Sequence, residues 1–223
     1  MDLKIEQQAR GTRILTEEDA RMRRAIINNC IKLAESRDFR EIVLPTIEPS
    51  GVYTDKMGPE ILNQLFAFND KGDRPIVLRP EGTATCQILA RTAFNQQKNI
   101  RLWYETRCFR YERPQAGRYR EFTQFGVEIL NPKERPQNDF RDELLELMRL
   151  MVSGFVKNFV VDTNAKRGLQ YYVEDGFEIS CPVLGAEKQV AGGGKYAEGI
   201  GFAIGVDRLM LAHQKENDQA PIV

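Results

Sequence analysis

The sequence lacks several features on which catalytic and membrane proteins commonly depend. Its 223 residues include one histidine and four cysteines, and no two cysteines form a CxxC pair. A single histidine argues against histidine-dependent catalysis, and the scattered cysteines favour reduced thiols in a cytosolic protein over disulfides or a metal site. No apolar run approaches the roughly 20 residues that span a membrane. The first ten residues also lack the apolar core of a signal peptide. The sequence therefore predicts a cytoplasmic protein with no membrane partner.

Net charge is absent as well. The chain carries 32 basic and 32 acidic side chains, so no overall field attracts nucleic acid, and any RNA contact requires a local patch. The hydrophobic fraction of 42% is ordinary for a globular protein, and the length suffices for one sizeable core. We therefore expect a single domain over residues 1–223.

The pattern of apolar residues predicts helices packed on an antiparallel sheet. Thr16 is placed to cap a helix that extends to about Ser36, and residues 140–161 form a second amphipathic helix whose apolar stripe includes Phe155 and Phe159. Two pairs of strands are joined by short turns, at 70–73 and at 113–117, and further strands precede a last helix from about Asp207. A segment broken by Pro45 and Pro49 belongs at a sheet edge or an interface. Hairpin-linked strands indicate an α+β fold.

Residues 101–120 are the most informative stretch, because they contain six arginines and no lysine. A solvated surface would mix the two, whereas a bidentate grip on phosphate oxygens requires the planar guanidinium group. In the second strand of this hairpin, alternation places polar and aromatic side chains on one face and apolar ones on the other. The polar face would carry Arg118, Arg120, Phe122, Gln124 and Glu128, and the core face Tyr119, Phe125, Val127 and Ile129.

Here the chain resembles the catalytic domain of the histidyl-tRNA synthetases, a class II aminoacyl-tRNA synthetase family. FRYERPQAGRYREFTQFGVE resembles motif 2 of the family (about 101–130), and GFAIGVDRL resembles motif 3 (about 200–213). LRPEGT, from Leu78, is similar to the amino-acid loop, and RGLQYY and GGKY are similar to the two histidine-specific motifs. The segment through Pro45 lies where motif 1 (about 18–50) forms the dimer interface. The resemblance implies an antiparallel sheet flanked by helices, in a homodimer.

The resemblance also implies roles in ATP binding. Arg110 and Arg167 would hold the α-phosphate, where attack by the amino acid carboxylate builds negative charge. Arg118 would contact the distal phosphates, Arg208 and Phe122 would enclose the adenine, and Glu112 would contact the nucleotide. Mg²⁺ is implied by pyrophosphate departure, but no protein ligand for it is identifiable. The catalytic residues expected in this way are Arg110, Arg167 and Gln124.

For the amino acid, the resemblance implies a polar pocket that recognises histidine. Glu81, Thr83 and Gln124 would bind the α-ammonium group. Glu128 and Tyr172 would bracket the imidazole, with Tyr171 beside them. Taken alone, Glu81 is better explained as a helix cap and Tyr172 as a core tyrosine, and only the joint pattern favours binding.

Some positions depart from the family pattern. Gln170 and Ala197 replace aspartates of the two histidine motifs, and Lys195 replaces an arginine, so histidine specificity follows less directly than ATP binding. Only 38 residues separate Glu128 from Arg167, too few for the family's insertion domain. The chain also stops where the resemblance would lead into the anticodon-binding domain. The tRNA acceptor stem is therefore a less direct expectation as a partner than histidine.

Three functions are compatible with these residues. The first is ATP-dependent activation of histidine, with transfer to tRNA as a further step. The second is a non-catalytic, histidine-binding paralogue of the type that regulates ATP phosphoribosyltransferase. The third is a ligase that loads an amino acid onto another carrier. The arginines at positions 110, 167 and 208, together with Gln124, favour the first, because a sensor needs no grip on an α-phosphate.

Overall fold

The structure is a computed structural model that describes residues 8–54, 62–133, 139–166 and 169–218. The first helix lies along one side of the domain. Helix α1 (Glu17–Glu35) begins after Thr16, as predicted, and its first turn is acidic, which the helix dipole favours. The hydroxyl of Thr16 makes no capping hydrogen bond. Buried Ile26, Cys30 and Ala34 recur every four residues and turn one stripe of α1 toward the core.

A seven-stranded sheet forms the centre of the domain. Its strands, from one edge to the other, are β1 (Arg40–Glu41), β5 (Ile100–Phe109), β6 (Glu121–Leu130), β10 (Gly199–Gly205), β9 (Gln189–Tyr196), β8 (Gly176–Ser180) and β7 (Val160–Ala165). Every pairing is antiparallel except that of β1 with β5. The expected α+β fold with an antiparallel sheet is therefore confirmed, with one parallel strand added at the edge.

A second sheet of three strands lies beside the first. Its order is β2 (Ile47–Pro49), β4 (Pro75–Leu78) and β3 (Phe66–Asn69). The predicted turn at 70–73 joins β3 to β4, and the Asp70 side chain accepts hydrogen bonds from the backbone N–H groups of Gly72 and Arg74 at 2.8 and 3.0 Å. Because β2 lies at the sheet edge, Pro49 interrupts no ladder, as the sequence predicts.

The described residues form four further α-helices, which pack on the sheets: α2 (Gly51–Thr54), α3 (Thr83–Arg91), α4 (Asp139–Ser153) and α5 (Val206–Asp218). A short 3-10 helix (Pro182–Glu187) follows β8. None of the described helices is both long and apolar enough to cross a bilayer. The predicted helix over 140–161 was too long, because α4 ends at Ser153 and β7 follows. Glu216 accepts the backbone N–H groups of Lys157 and Asn158, both at 2.8 Å, and so holds the chain in a non-helical course there. Phe155 and Phe159 pack on the core from this connection, outside the helix.

The main core fills the space between the seven-stranded sheet and α1, α4 and α5. Phe125, Val127 and Ile129 of β6 are fully buried in it, as alternation along the strand predicts. Tyr119 was wrongly placed on this face, because β6 begins only at Glu121. Tyr119 instead lines a cleft on the opposite face, with the Arg13 guanidinium 3.7 Å from its ring centroid.

A buried arginine joins the small sheet to the large one. Arg79, at the end of β4, donates through its guanidinium to the carbonyl oxygens of Pro45 and Arg107, the latter at 2.9 Å. Its own carbonyl accepts the N–H of Phe109 at 2.8 Å. These bonds fix the end of β5 immediately before Arg110.

Candidate active site

A cleft of about 340 Å³ opens on the face of the large sheet opposite the main core. Its walls come from the β5–β6 hairpin, the loop before α3, the segment before β8, strands β8–β10 and the start of α5. Ten of the predicted site residues line it: Glu81, Thr83, Arg110, Glu112, Arg118, Phe122, Gln124, Tyr171, Tyr172 and Arg208. These residues are spread over more than 120 positions of sequence, so the fold gathers them into one place.

Two of the cleft arginines are fixed by main-chain carbonyls. Arg110 donates through Nε to the Pro80 carbonyl at 3.0 Å. Arg208 donates to the carbonyls of Gly117 and Gln189, both at 3.0 Å. A carbonyl accepts a hydrogen bond but carries no net charge, so it orients a guanidinium without neutralising it. These hydrogen bonds therefore hold both guanidinium groups in place on the wall of the cleft.

The hairpin that joins β5 to β6 carries the remaining cationic and aromatic groups. Arg118 forms an ion pair with Glu112, so its charge is shared with a carboxylate. The Phe122 ring lies in the cleft with the Arg110 guanidinium 5.3 Å from its centroid. Gly117 has φ of +76°, in the left-handed region that glycine adopts most easily, and this turn presents the carbonyl that Arg208 binds.

Gln124 lies on the same face of β6, two residues beyond Phe122. The thiol of Cys108, on the neighbouring strand, donates to the side-chain oxygen of Gln124 at 3.3 Å. Burial raises the pKa of the Cys108 thiol to about 12, so the thiol stays protonated and remains a donor. All four cysteines are buried and free, in agreement with the reduced thiols expected from the sequence.

The loop before α3 forms the acidic end of the cleft. Glu81 accepts the backbone N–H groups of Thr83 and Ala84 at 2.7 and 2.8 Å, so it does cap the helix. It also lines the cleft, where the Tyr171 hydroxyl lies 3.5 Å from one of its oxygens. Burial raises the pKa of Glu81, while the two N–H groups and Arg110 act in the opposite direction. The structural and the binding interpretations of Glu81 are therefore compatible.

Glu128 occupies a different position from the other site residues. Its side chain is 0% exposed and lies beneath the cleft instead of lining it. Oε1 accepts the Thr83 hydroxyl at 2.7 Å, and Oε2 accepts the Tyr196 hydroxyl at 2.8 Å. Burial raises the pKa of Glu128 to about 8 in spite of these donors. Glu128 thus lies beneath the floor of the cleft, and Tyr172 forms part of its wall.

The departures from the family pattern lie outside the cleft. Gln170, Lys195 and Ala197 are all exposed, and none of them lines the cavity. Their replacement therefore leaves the composition of the cleft wall unchanged. Arg167, which the resemblance assigns to the α-phosphate, lies outside the described residues, so its predicted role stays a prediction.

Several cleft residues had not been predicted. Among them are Gln64, Lys166, Glu178 and Gln189. One feature of the sequence pointed to Glu178: it is the single charged residue in β8, and the other residues of that strand are buried. The cleft carboxylates do not form a preformed metal site: within the part of the chain that the structure describes, no group of three His, Cys, Asp or Glu side chains could hold an ion.

Comparison with known proteins connects this geometry to a family. The family model described as "Histidyl-tRNA synthetase" matches residues 11–162. A histidine–tRNA ligase of Archaeoglobus fulgidus is 28% identical over 99% of this chain and 79% of its own length. That alignment extends over 324 positions, so the relative has additional residues inside the matched region. The corresponding ligase of Methanocaldococcus jannaschii is 40% identical, but the matched part spans only 35% of its length.

Two solved structures show the same architecture. The apo histidyl-tRNA synthetase of Staphylococcus aureus superposes with a TM-score of 0.77, at 26% identity, over 95% of this chain and 71% of that one. A Bacillus halodurans protein described as an ATP phosphoribosyltransferase regulatory subunit/histidyl-tRNA synthetase superposes with a TM-score of 0.73 over 93% of this chain and 83% of that one. At 16% identity, the second match shows the fold alone. The predicted class II synthetase catalytic fold is therefore confirmed.

Proposed function

This chain belongs to the histidyl-tRNA synthetase family, and from that membership we propose that it is a histidine–tRNA ligase-like enzyme that joins histidine to ATP as histidyl-adenylate. One observation carries the proposal. A single cleft has two arginines, each oriented by main-chain carbonyls, toward one end and buried carboxylates at the other. A triphosphate and an amino acid fit those two ends and would meet between them.

The nucleotide would occupy the arginine end. Arg110 would contact the α-phosphate, with Arg167 opposite it. Arg208 and Phe122 would take the two faces of the adenine ring, since both a guanidinium and a phenyl ring stack on an aromatic base. The paired Glu112 and Arg118 lie at the turn of the hairpin, where Arg118 would reach the distal phosphates and Glu112 the nucleotide.

The amino acid would occupy the acidic end. Glu81, Thr83 and the amide of Gln124 would hold the α-ammonium group and orient the carboxylate toward phosphorus. Tyr171 and Tyr172 would wall the imidazole, and Glu128 would accept a hydrogen bond from a ring N–H at the floor. A pocket of buried polar groups discriminates strongly, because an apolar analogue leaves those groups unpaired.

The reaction then needs positioning and electrostatics more than proton transfer. A carboxylate oxygen of histidine attacks the α-phosphorus and forms a new O–P bond, while the bond from that phosphorus to the bridging oxygen breaks and pyrophosphate leaves. The carboxylate is already ionised at neutral pH, so no general base is required. Arg110 stabilises the charge that builds on the phosphoryl oxygens in the transition state.

Mg²⁺ would accompany ATP, as is usual for chemistry at a triphosphate. Such an ion is commonly held by phosphate oxygens, water and one or two carboxylates, so the lack of a three-ligand cluster in residues 8–54, 62–133, 139–166 and 169–218 is compatible with it. Glu178 and Glu112 are the cleft carboxylates that would supply such contacts. The ion would neutralise part of the charge on the departing pyrophosphate.

The partners follow from the same proposal. The chain would act in the cytoplasm as a homodimer, with the dimer interface formed by the segment around Pro45. In that segment Val43 is 84% exposed and Ile47 is 53% exposed. Pairing with a second copy would bury both side chains and remove the free-energy cost of exposing them to water. The tRNA acceptor stem would be the second substrate. Light scattering after size exclusion tests the dimer, and a monomer at micromolar concentration contradicts this interface.

The second candidate function is histidine sensing without activation. The likeness to the Bacillus halodurans protein, whose description includes a regulatory subunit, favours this candidate as an alternative. The charged arginines of the cleft count against it, because a histidine sensor has no α-phosphate to hold.

ATP–pyrophosphate exchange across the twenty amino acids tests these alternatives. Exchange that depends on histidine supports the proposed function. Histidine binding without exchange supports the sensor. Exchange with a different amino acid identifies a ligase of another specificity, and tRNA charging in a separate assay distinguishes tRNA from a different carrier.

A further inference from the structure

A tyrosine beneath the cleft fills space that two glycines leave open. Tyr104, in β5, is fully buried and does not line the cavity. A Cβ atom built on Gly126, its partner in β6, would lie 2.0 Å from Cζ of the Tyr104 ring, and one built on Gly82 would lie 2.5 Å from the same ring. Any side chain at either position would therefore displace the ring. The two glycines hold Tyr104 in one place.

The hydroxyl of Tyr104 ends at the floor of the acidic pocket. It lies 3.3 Å from Oε1 of Glu128 and donates to it. It also lies 3.4 Å from the Thr83 hydroxyl, which donates to the same oxygen at 2.7 Å. Oε2 of Glu128 is held separately by Tyr196. Each carboxylate oxygen therefore has its own set of phenol or alcohol donors.

From this arrangement we infer that Tyr104 is a positioning residue for amino-acid recognition: its hydroxyl, fixed by the packing of its ring against Gly82 and Gly126, holds the Glu128 carboxylate in the orientation that accepts an imidazole N–H. The inference rests on the proposed function, because it requires histidine in this pocket. Tyr104 itself would not contact the substrate. It acts through Glu128 and Thr83.

The pKa of Glu128 depends on the Tyr104 hydroxyl, and this dependence distinguishes a positioning role from a purely structural one. Burial raises the pKa of Glu128 to about 8, and the Tyr104 hydroxyl opposes that shift, because a donor stabilises the ionised form. Removing this hydroxyl therefore raises the pKa further. The other titratable groups that face Glu128 from the packed elements are Glu81, Cys86, Tyr171 and Tyr196. All four of these side chains remain in place when the Tyr104 hydroxyl is removed.

The test is the pH dependence of the KM for histidine in Tyr104→Phe, measured by ATP–pyrophosphate exchange. An ionised carboxylate accepts an imidazole N–H more strongly than a protonated carboxyl group does, so the variant should bind histidine most weakly, relative to the wild type, at low pH. We expect the ratio of the variant's KM to that of the wild type to be about three- to tenfold near pH 6.5. The ratio should fall toward one by about pH 9.5, because Glu128 is then ionised in both proteins. Titration of the histidine substrate affects the KM of both proteins equally, so it does not change this ratio.

The KM for ATP should stay unchanged in the same variant. Tyr53→Phe is the matched control, since Tyr53 is also fully buried and donates to a different buried carboxylate, Glu48, at 2.7 Å. Its KM ratio should be independent of pH. A Tyr104→Phe ratio that is one throughout, or raised equally at every pH, overturns the inference.

A second variant covers the case in which Tyr104→Phe does not fold. Replacement of Tyr104 by 3-fluorotyrosine keeps the ring and strengthens the hydroxyl as a donor, so it should shift the pH dependence of the histidine KM to lower pH. No shift, or a shift to higher pH, counts against the inference. Absence of histidine-dependent exchange in the wild type would instead refute the proposed function, so the two failures are distinguishable.

Discussion

The two ends of the cleft are built in opposite ways. At the proposed nucleotide end, arginine side chains line the cavity and are held in place by carbonyls of the main chain. At the amino-acid end, a carboxylate is removed from the cavity and surrounded by hydroxyl donors from three separate elements. The first arrangement orients positive charge, and the second controls negative charge through burial. A phosphate chain needs strong, unneutralised cations, whereas discrimination among amino acids needs a rigid set of hydrogen-bonding partners.

The largest expected effect concerns the nucleotide end. Arg110→Ala should lower the rate of ATP–pyrophosphate exchange by at least about 100-fold, because it removes a cation from the developing phosphoryl charge. The matched control is Arg107→Ala, three residues earlier, where an exposed arginine pairs with Glu121 on the surface. That variant should keep exchange within about twofold. Equal loss in both variants would show that the Arg110 assignment is wrong.

Arg167→Ala should likewise lower the rate of ATP–pyrophosphate exchange. The resemblance places its guanidinium against the same phosphate as Arg110, so exchange should be abolished while the thermal unfolding midpoint stays close to that of the wild type. Circular dichroism during heating provides the control for folding. An active Arg167→Ala enzyme would mean that the α-phosphate is held by Arg110 without a second arginine.

At the amino-acid end the expected effect is selective. Glu128→Ala should raise the KM for histidine by about 10- to 100-fold, since it removes a hydrogen-bond acceptor from a buried site. The KM for ATP should change little, because the nucleotide contacts lie at the other end. Kinetics with each substrate varied in turn measure both constants. An equal increase in the two would remove the distinction between the two ends.

The smallest effect is expected at the positions that depart from the family pattern. Gln170→Asp and Lys195→Arg should each change the KM for histidine by less than about twofold, because exposed side chains outside a site rarely alter its energetics. Exchange assays on the two single variants provide the measurement. A change of tenfold would show that the exterior of the pocket contributes to selection.

The sequence placed Phe122 and Gln124 on the cleft face of β6, but it did not reveal Tyr104. Arginines clustered over twenty positions stand out by composition, and alternation correctly placed Phe122 and Gln124 on one face. Tyr104 gave no such signal, because it follows the buried apolar residues Leu102 and Trp103 in β5. Its importance depends on glycines at 82 and 126 and on Glu128, all brought together only by strand pairing and loop closure.

Errors elsewhere also came from long-range contacts. The apolar stripe of α4 continues in sequence beyond Ser153, but Glu216 binds the main chain at 157 and 158 and prevents the helix from continuing. Strand β7 was missed for the same reason. The parallel pairing of β1 with β5 involves two residues of β1, too few for any periodic pattern.

The double use of Glu81 limits how this pocket could evolve. One carboxylate caps α3 and also stands at the amino-acid end of the cleft. A mutation that relaxed substrate choice at this position would fray the helix at the same time, with a loss of about 1 kcal/mol in folding free energy. Substrate specificity would therefore change more readily by substitution of Tyr171 or Tyr172 than by substitution of Glu81, because loss of Glu81 also destabilises the fold.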